Sequence, residues 1–323
     1  GRLTSPMLAK SLINGILSTG CNVFEIGEVT TPMVYFANYE LKTYSGVMIT
    51  GSHNPPEYNG LKMVMAGDTL SGDKIQQIYQ RIQDKQVIKG NGVHYCENIL
   101  EAYFTKITSD VKLARRMSIV VDAGNGVAGK IAPQLYRRLG CKVLGLFCEV
   151  DGNFPNHHPD PSKPENLNDI IHALNTTETE IGLAFDGDGD RLGVVTKDGN
   201  IIYPDRQMML YAADILSKNP QGKIIYDVKS SRLLADWIKE NQGIPIMCRT
   251  GHSFVKAKIK ETGALLAGEM SGHLFFNDRW NGSADGVYAG ARLLEILAQV
   301  EDPSELLNAL PNAISTPEIN IPV

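Results

Sequence analysis

Two stretches of this sequence hold side chains whose types and spacing suit the handling of a phosphoryl group, and a third suits a sugar. The first is Thr50-Gly51-Ser52-His53-Asn54-Pro55-Pro56-Glu57-Tyr58-Asn59-Gly60-Leu61-Lys62, where an apolar run ending at Ile49 opens into hydroxyl, imidazole and amide groups. A serine at a strand end is an exposed nucleophile, and His53 and Lys62 nearby supply cations to steady a transferred phosphoryl group. The two prolines stiffen the loop. The same residues also make ordinary Ser/Asn/Pro turns, so this stretch alone leaves both readings open.

The second stretch is Phe185-Asp186-Gly187-Asp188-Gly189-Asp190-Arg191-Leu192. Three carboxylates at alternate positions, separated by glycines that let the backbone curl, can converge on one hard cation and leave room for a phosphate oxygen; Mg²⁺ fits that pattern. A calcium loop of the EF-hand kind would need Gly where Arg191 stands and Glu where Lys197 stands, with helical rather than strand-like flanks. A solvated acidic turn is the other reading, but three aspartates between two apolar strands repel one another without a cation. Arg191 is placed to share the same phosphate.

The third stretch is Ala267-Gly268-Glu269-Met270-Ser271-Gly272-His273-Leu274-Phe275. Glu269 can accept from two neighbouring sugar hydroxyls, Ser271 can donate, and His273 can move a proton; a surface turn with an incidental histidine reads equally well. Lys229, after the run Ile224 to Asp227, and His252, in Arg249-Thr250-Gly251-His252-Ser253, each follow a strand and precede a helix, where α/β folds bind ligands. By themselves they also read as a solvated lysine and a helix-capping residue. The stretch Asp151 to Pro161 holds His157 and His158, but its prolines splay that pair, and an ordered loop is expected.

These loops need elements to hold them. Short apolar runs at Val23 to Ile26, Gly46 to Thr50, Ser118 to Asp122, Lys142 to Phe147, Ile181 to Phe185, Leu192 to Thr196, Lys223 to Asp227, Ile244 to Cys248 and Leu265 to Gly268 predict strands. A further strand is expected over Glu318 to Ile321. Amphipathic stretches at Asp73 to Gln83, Asn98 to Lys112, Gly126 to Leu139, Pro204 to Ser217, Ser231 to Lys239 and Ala284 to Leu297 predict helices. The alternation predicts tandem α/β domains with mixed sheets, each strand running through a polar, glycine-rich loop into a helix. Boundaries are expected near 97 and 200, with a third in the Pro311 to Pro317 stretch.

A chain of 323 residues exceeds what one hydrophobic core usually supports. No apolar run reaches the roughly 18 residues of a membrane span, the amino terminus lacks signal-peptide architecture, and a cytosolic protein is expected. A net charge of −5 without a Lys/Arg stripe gives no attraction for nucleic acid or anionic lipid, which leaves a small-molecule partner. The five scattered cysteines, without any Cys-x-x-Cys, argue against both a disulfide scaffold and a zinc site and are expected as buried thiols. The chain has no initiator Met and stops directly after a strand-like run, and a piece of a longer protein is expected.

Together and in this order, Thr-x-Ser-His-Asn-Pro, Asp-Gly-Asp-Gly-Asp-Arg and Gly-Glu-x-Ser-Gly-His make the chain closely resemble the α-D-phosphohexomutase superfamily over essentially its whole length. Within it, the Gly268 to His273 and Asp151 to Pro161 stretches are most similar to the bacterial phosphomannomutase/phosphoglucomutase branch; phosphoglucosamine mutases tend to have Gln where Met270 stands. The resemblance implies a four-domain protein around a central cleft. It implies domains at 1–97 (phosphoserine loop), 98–200 (metal loop) and 201–312 (sugar loop), then a linker at 313–323 towards a phosphate-binding domain. Family members also have an amino-terminal strand with a catalytic Arg ahead of the position of Gly1.

The resemblance further implies that Ser52 carries the phosphate, that Asp186, Asp188 and Asp190 with the phosphoserine hold one Mg²⁺, and that Glu269 and Ser271 hold the sugar. Lys62, Arg191, Lys229, His252 and His273 match cleft residues that bind phosphate or shuttle protons, and His53 and Asn54 belong to the serine motif. The implied reaction moves a phosphoryl group between the 1- and 6-positions of mannose or glucose phosphates through a hexose 1,6-bisphosphate, with glucose 1,6-bisphosphate as activator or intermediate, in a monomer feeding nucleotide-sugar and polysaccharide precursor synthesis. The rivals are a phosphoglucosamine mutase, a sugar-phosphate phosphohydrolase with Asp186 as nucleophile, and a sugar-phosphate or calcium-binding module.

Overall fold

The computed structural model describes residues 1–314. The strand expected over 318–321 and most of the expected linker lie outside the described residues.

A five-stranded mixed sheet runs in the order Ile201–Ile202, Leu192–Thr196, Ile181–Phe185, Ser118–Asp122, Lys142–Leu146. The last three strands are parallel, and the first two pair antiparallel. Ile181–Phe185 and Leu192–Thr196 are buried at every residue because both faces of the sheet are covered. The two-residue side-chain period divides them: Val120, Ala184 and Val195 pack under the helix Asn168–Thr176, while Ile119, Val121, Leu183, Phe185 and Val194 face the main core.

A four-stranded sheet repeats the plan in the order Ile244–Cys248, Lys223–Asp227, Leu266–Gly268, Leu274–Phe276, with the last pair antiparallel. The helices Pro204–Lys218 and Arg232–Glu240 cover one face, and His252–Thr262 packs on the other through Val255 and Ile259. Near the amino terminus Gly46–Ile49, Leu61–Met65 and Asp68–Thr69 form a small antiparallel sheet, and Val23–Glu25 pairs in parallel with His94–Cys96.

Two helices connect these parts. Thr31–Glu40, opened by Pro32, is buried from Thr31 to Asn38. Gly286–Leu297 touches the strands Ile181–Phe185, Leu192–Thr196 and Leu274–Phe276 and the helices Ala128–Arg138 and Pro204–Lys218. Its cap, Asp285, accepts from Tyr288 N at 2.9 Å and from the Tyr103 hydroxyl at 2.9 Å, and burial pushes its carboxyl up to about 7. Its Arg292, 1% exposed, is neutralised by Asp278 at 3.0 Å. Truncating a fully buried leucine of this helix such as Leu294 would cost about 2–5 kcal/mol.

Two expectations change. The loops that hold Ser52 and Glu269 do not run into helices: each joins two antiparallel strands, Gly46–Ile49 to Leu61–Met65 and Leu266–Gly268 to Leu274–Phe276, whereas the acidic loop lies between Ile181–Phe185 and Leu192–Thr196, the strands expected on either side of it. A hairpin tip is held at both ends by ladder hydrogen bonds. The cysteines are free as expected, but Cys21 and Cys96 are exposed, because they lie in or beside the thinly covered pair Val23–Glu25 and His94–Cys96. Among the described residues no helix is long and apolar enough to cross a membrane.

Candidate active site

The three hairpin tips meet. Thr50 N donates to Gly60 O at 3.0 Å and closes the base of the serine loop, and the register Met48↔Lys62 sets Lys62 at the start of the return strand. Ser52 adopts φ +48°, a left-handed conformation that costs a non-glycine residue about 1–3 kcal/mol. Its Oγ donates to Asp186 Oδ2 at 3.0 Å, and its N–H donates to Thr50 Oγ1 at 2.8 Å. Ser52 and the acidic loop, far apart in sequence, are therefore in direct contact.

Asp186, Asp188 and Asp190 are all fully or almost fully buried, and each offers an oxygen within 4.8 Å of the others. The loop is rigid by its own bonds: the N–H groups of Asp190 and Arg191 donate to Asp186 Oδ1 at 3.1 Å, and Gly189, at φ +73°, takes a turn that favours glycine. Three helix beginnings hold its carbonyls from outside. Thr31 N donates to Asp188 O at 2.9 Å, Val127 N to Gly187 O at 3.3 Å, and Gly286 N to Gly189 O at 3.2 Å. Each is at or next to the positive end of a helix dipole, which favours the acidic charge gathered there.

Lys62 Nζ donates to Asp188 Oδ2 at 2.8 Å and Asp190 Oδ2 at 2.6 Å, and the Thr31 hydroxyl donates to Asp188 Oδ2 at 2.6 Å. Burial works against the ammonium, but Asp188 and Asp190 outweigh it and hold Lys62 well above the ordinary lysine value. Burial, then Asp188 and Asp190, push Asp186 well above the usual carboxylate range, whereas Lys62 and His273 hold Asp190 well below it despite its burial. Asp188 Oδ1 is buried and, among the described residues, without a hydrogen-bond partner. An orphaned carboxylate oxygen among three converging hard donors fits a divalent cation.

The third tip closes on this pair. An antiparallel bridge joins Arg191 to His273, with Leu192 N donating to Gly272 O at 3.2 Å. His273 Nε2 lies 3.1 Å from Asp190 Oδ1, and its Nδ1 lies 2.9 Å from Glu269 Oε2 and 3.1 Å from Ser271 Oγ. Burial opposes its charge, but Asp190 and Glu269 raise His273 to about 9. Both ring nitrogens carry protons at neutral pH, so the 3.4 Å approach of Arg191 Nε is a contact of two cations that Asp190 holds together. Glu269, 2% exposed, also accepts from Gly251 N at 2.5 Å, so both its oxygens have protein partners.

His252 opens the helix His252–Thr262, with Gly251 in the capping position. Its ring stacks 5.8 Å from Tyr35 and lies edge-on to His273 at 5.5 Å. Burial, then the neighbouring His273 charge, hold it well below the ordinary histidine value, and its buried Nε2 has no partner among the described residues. Lys229 is exposed on the turn after Lys223–Asp227. Asn54 is exposed, donating from its N–H to Gly51 O at 2.8 Å. His53 turns to Asp160, Nδ1 to Oδ2 3.4 Å, and its carbonyl contacts His158 Nε2. His157 pairs with Asp122 at 3.0 Å, so the two histidines part in an ordered loop.

Three residues that the sequence did not signal organise the site. Thr31 ties the acidic loop to its helix. Asp227, fully buried, accepts from Thr250 Oγ1 and Ser230 Oγ at 2.9 Å and from Met270 N at 3.3 Å, joining the Lys229, His252 and Glu269 loops. Arg2, 6% exposed, reaches from the amino-terminal end to the backbone of the serine loop. Their signal is a buried polar group with distant partners, which only the folded chain displays.

Residues 1–88 match the family described as phosphoglucomutase/phosphomannomutase, alpha/beta/alpha domain I, residues 94–199 match domain II, and residues 203–314 match domain III. A phosphoglucomutase of Neisseria gonorrhoeae is 58% identical over 99% of this chain and 70% of its own length. A phosphomannomutase/phosphoglucomutase of Pseudomonas aeruginosa is 56% identical over 100% of this chain and 70% of its own. Among solved structures, a phosphoglucomutase/phosphomannomutase family protein of Burkholderia thailandensis superposes with a TM-score of 0.94 at 55% identity, covering 98% of this chain and 71% of that one.

Proposed function

The chain belongs to the phosphoglucomutase/phosphomannomutase family, and from that membership we propose that it interconverts the 1- and 6-phosphates of glucose and mannose through a phosphoserine at Ser52. The observation that carries the assignment of Ser52 is the 3.0 Å contact of its Oγ with Asp186 at the edge of a buried acidic trio.

Asp186, Asp188 and Asp190, with the phosphorylated Ser52, would hold the cation, and we take it to be one Mg²⁺. When bound, it supplies Lewis-acid neutralisation of the transferring group. The chain's own residues do the rest. The P–O bond to Ser52 Oγ breaks as one forms to a sugar hydroxyl; the hydroxyl's proton passes to His252, neutral and with Nε2 unpartnered among the described residues, and the released Ser52 oxygen takes a proton from the Lys62 ammonium. Lys62, Arg191 and the doubly protonated His273 surround the phosphoryl oxygens with positive charge. Glu269 and Ser271 orient the sugar, and His53, Asn54 and Lys229 line the approach. The hexose 1,6-bisphosphate turns over and returns its other phosphate to Ser52.

We further propose three domains at 1–97, 98–200 and 201–312 and a monomer in the cytosol, where the five free cysteines suit a reducing compartment. The phosphohydrolase alternative is not favoured, since the family models and the relatives that match the chain are mutases.

The test is Ser52→Ala in the full-length enzyme. Interconversion of glucose 1- and 6-phosphate should vanish, and the mass of one phosphate should be absent from the protein after incubation with glucose 1,6-bisphosphate. Wild-type turnover would overturn the assignment.

A further inference from the structure

Ser52 must present its oxygen to a phosphoryl group twice per cycle while its own backbone stays in a left-handed conformation that a serine does not prefer. Its N–H is held by Thr50 Oγ1 at 2.8 Å; its carbonyl is held by Arg2. The guanidinium of Arg2 donates through Nη2 to Ser52 O at 2.7 Å and to Asn54 O at 2.6 Å. Through Nη1 it donates to Tyr58 O at 3.1 Å and to Pro55 O. One side chain thus gathers four carbonyls of a seven-residue stretch, and a planar fork with five N–H donors is the only side chain that can.

The surroundings are built to admit it. A Cβ on Gly51 would lie 2.7 Å from Arg2 Cζ and 2.6 Å from Tyr58 O, so the glycine between Thr50 and Ser52 leaves room for the fork. The guanidinium sits 5.0 Å over the Phe154 ring. On the opposite side, a Cβ on Gly152 would meet Gly1 O at 2.7 Å and Leu3 N at 3.0 Å, so the backbone around Arg2 is seated closely on that loop.

We propose that Arg2 is a positioning residue for phosphoryl transfer, holding the Ser52 loop in its strained turn so that Oγ stays aligned with the acidic trio. The inference rests on Ser52 as the phosphate carrier. With both Nη atoms occupied by carbonyls, Arg2 acts from behind the nucleophile and not on the phosphate. Its geometry, more than its charge, is the active property, and lysine keeps the charge but not the planar fork.

The experiment uses Arg2→Lys and Arg2→Gln in the full-length enzyme with Ser52→Ala as control. Misplacing a reacting atom by about 1 Å costs about 100-fold, so kcat should fall about 100-fold in Arg2→Gln and in Arg2→Lys alike. KM for glucose 1-phosphate should stay within about twofold, since the sugar loop is untouched. Phosphate transfer from glucose 1,6-bisphosphate to Ser52, followed by intact mass, should slow in step with kcat. A merely structural arginine would lower the melting temperature while kcat per phosphorylatable site stayed at the wild-type value, and that result overturns the proposal. Should Arg2→Gln fail to fold, Gly51→Ala presses on the same fork from outside and should give the same split of kcat from KM; wild-type kcat in Arg2→Lys and Gly51→Ala together overturns it equally. An active Ser52→Ala would instead remove the reading beneath it.

Discussion

The acidic loop and the serine loop meet at one point, yet they are held in opposite ways. The acidic loop lies between two fully buried strands, bonds to itself, and is steadied by backbone N–H groups at three helix beginnings. The serine loop lies between strands that, Val64 apart, are half-buried or exposed, and is steadied by side chains from elsewhere: Arg2 on its carbonyls, Asp160 on His53, His158 on the His53 carbonyl. A cation site needs fixed donors. Under the proposed function, a loop whose serine is phosphorylated and dephosphorylated needs a fixed oxygen within a frame that tolerates a changing charge, and side-chain clamps provide that without burying Ser52.

The contrast can be broken most severely from the acidic side. Asp188→Ala removes a donor with one orphaned oxygen and one bonded to Lys62 and Thr31. Several kcal/mol of charge stabilisation are at stake, so kcat should drop ~10³-fold or more, and calorimetric titration with Mg²⁺ should lose its binding heat. A smaller effect is expected at the seam. A Cβ on Gly187 would collide with the Ser52 carbonyl oxygen, so Gly187→Ala should shift the nucleophile and lower kcat ~100-fold while Mg²⁺ binding persists. If Mg²⁺ binding fell with kcat, the two loops would be one unit and the distinction between them would fail.

The smallest effect belongs to the serine side. Hydrogen bonds from His53 and Ser162 outweigh burial and hold Asp160 well below its ordinary value of 3.8. A depressed carboxylate contributes stability that is fully present above the unfolded value and is lost as the pH falls towards the folded one. Asp160→Asn should therefore cost ~1–2 kcal/mol at pH 7, and thermal melts of the two proteins should converge as the pH drops below 3.8. A gap that persisted unchanged at pH 3 would assign the loss to packing instead.

Much of this was legible in the sequence, and the gaps have physical causes. Ser118–Asp122, Ile181–Phe185, Leu192–Thr196 and Lys223–Asp227 appear as predicted, because runs of branched apolar residues buried on both faces have few alternatives, and Ile244–Cys248 also appears as predicted although it is an edge strand of half-buried and exposed residues. Thr31–Glu40 escaped because it is buried almost all round and has no amphipathic stripe to read. Leu274–Phe276 escaped because three residues form a strand only against Leu266–Gly268. The acidic trio could be read as a cation site because its members are neighbours in sequence. Arg2, Thr31 and Asp227 could not, since each acts on a partner more than twenty residues away.

The rung between Arg191 and His273 has one more outcome. It is made by main-chain atoms, so, beside the His273–Asp190 contact, the spacing of the two loops does not depend on the side chains of Met270 and Ser271. Under the proposed function, exchanging Met270 and Ser271 would alter which hydroxyl pattern is welcomed while the acidic trio keeps its place; diversification of taste and preservation of chemistry would be separated at a single pleat.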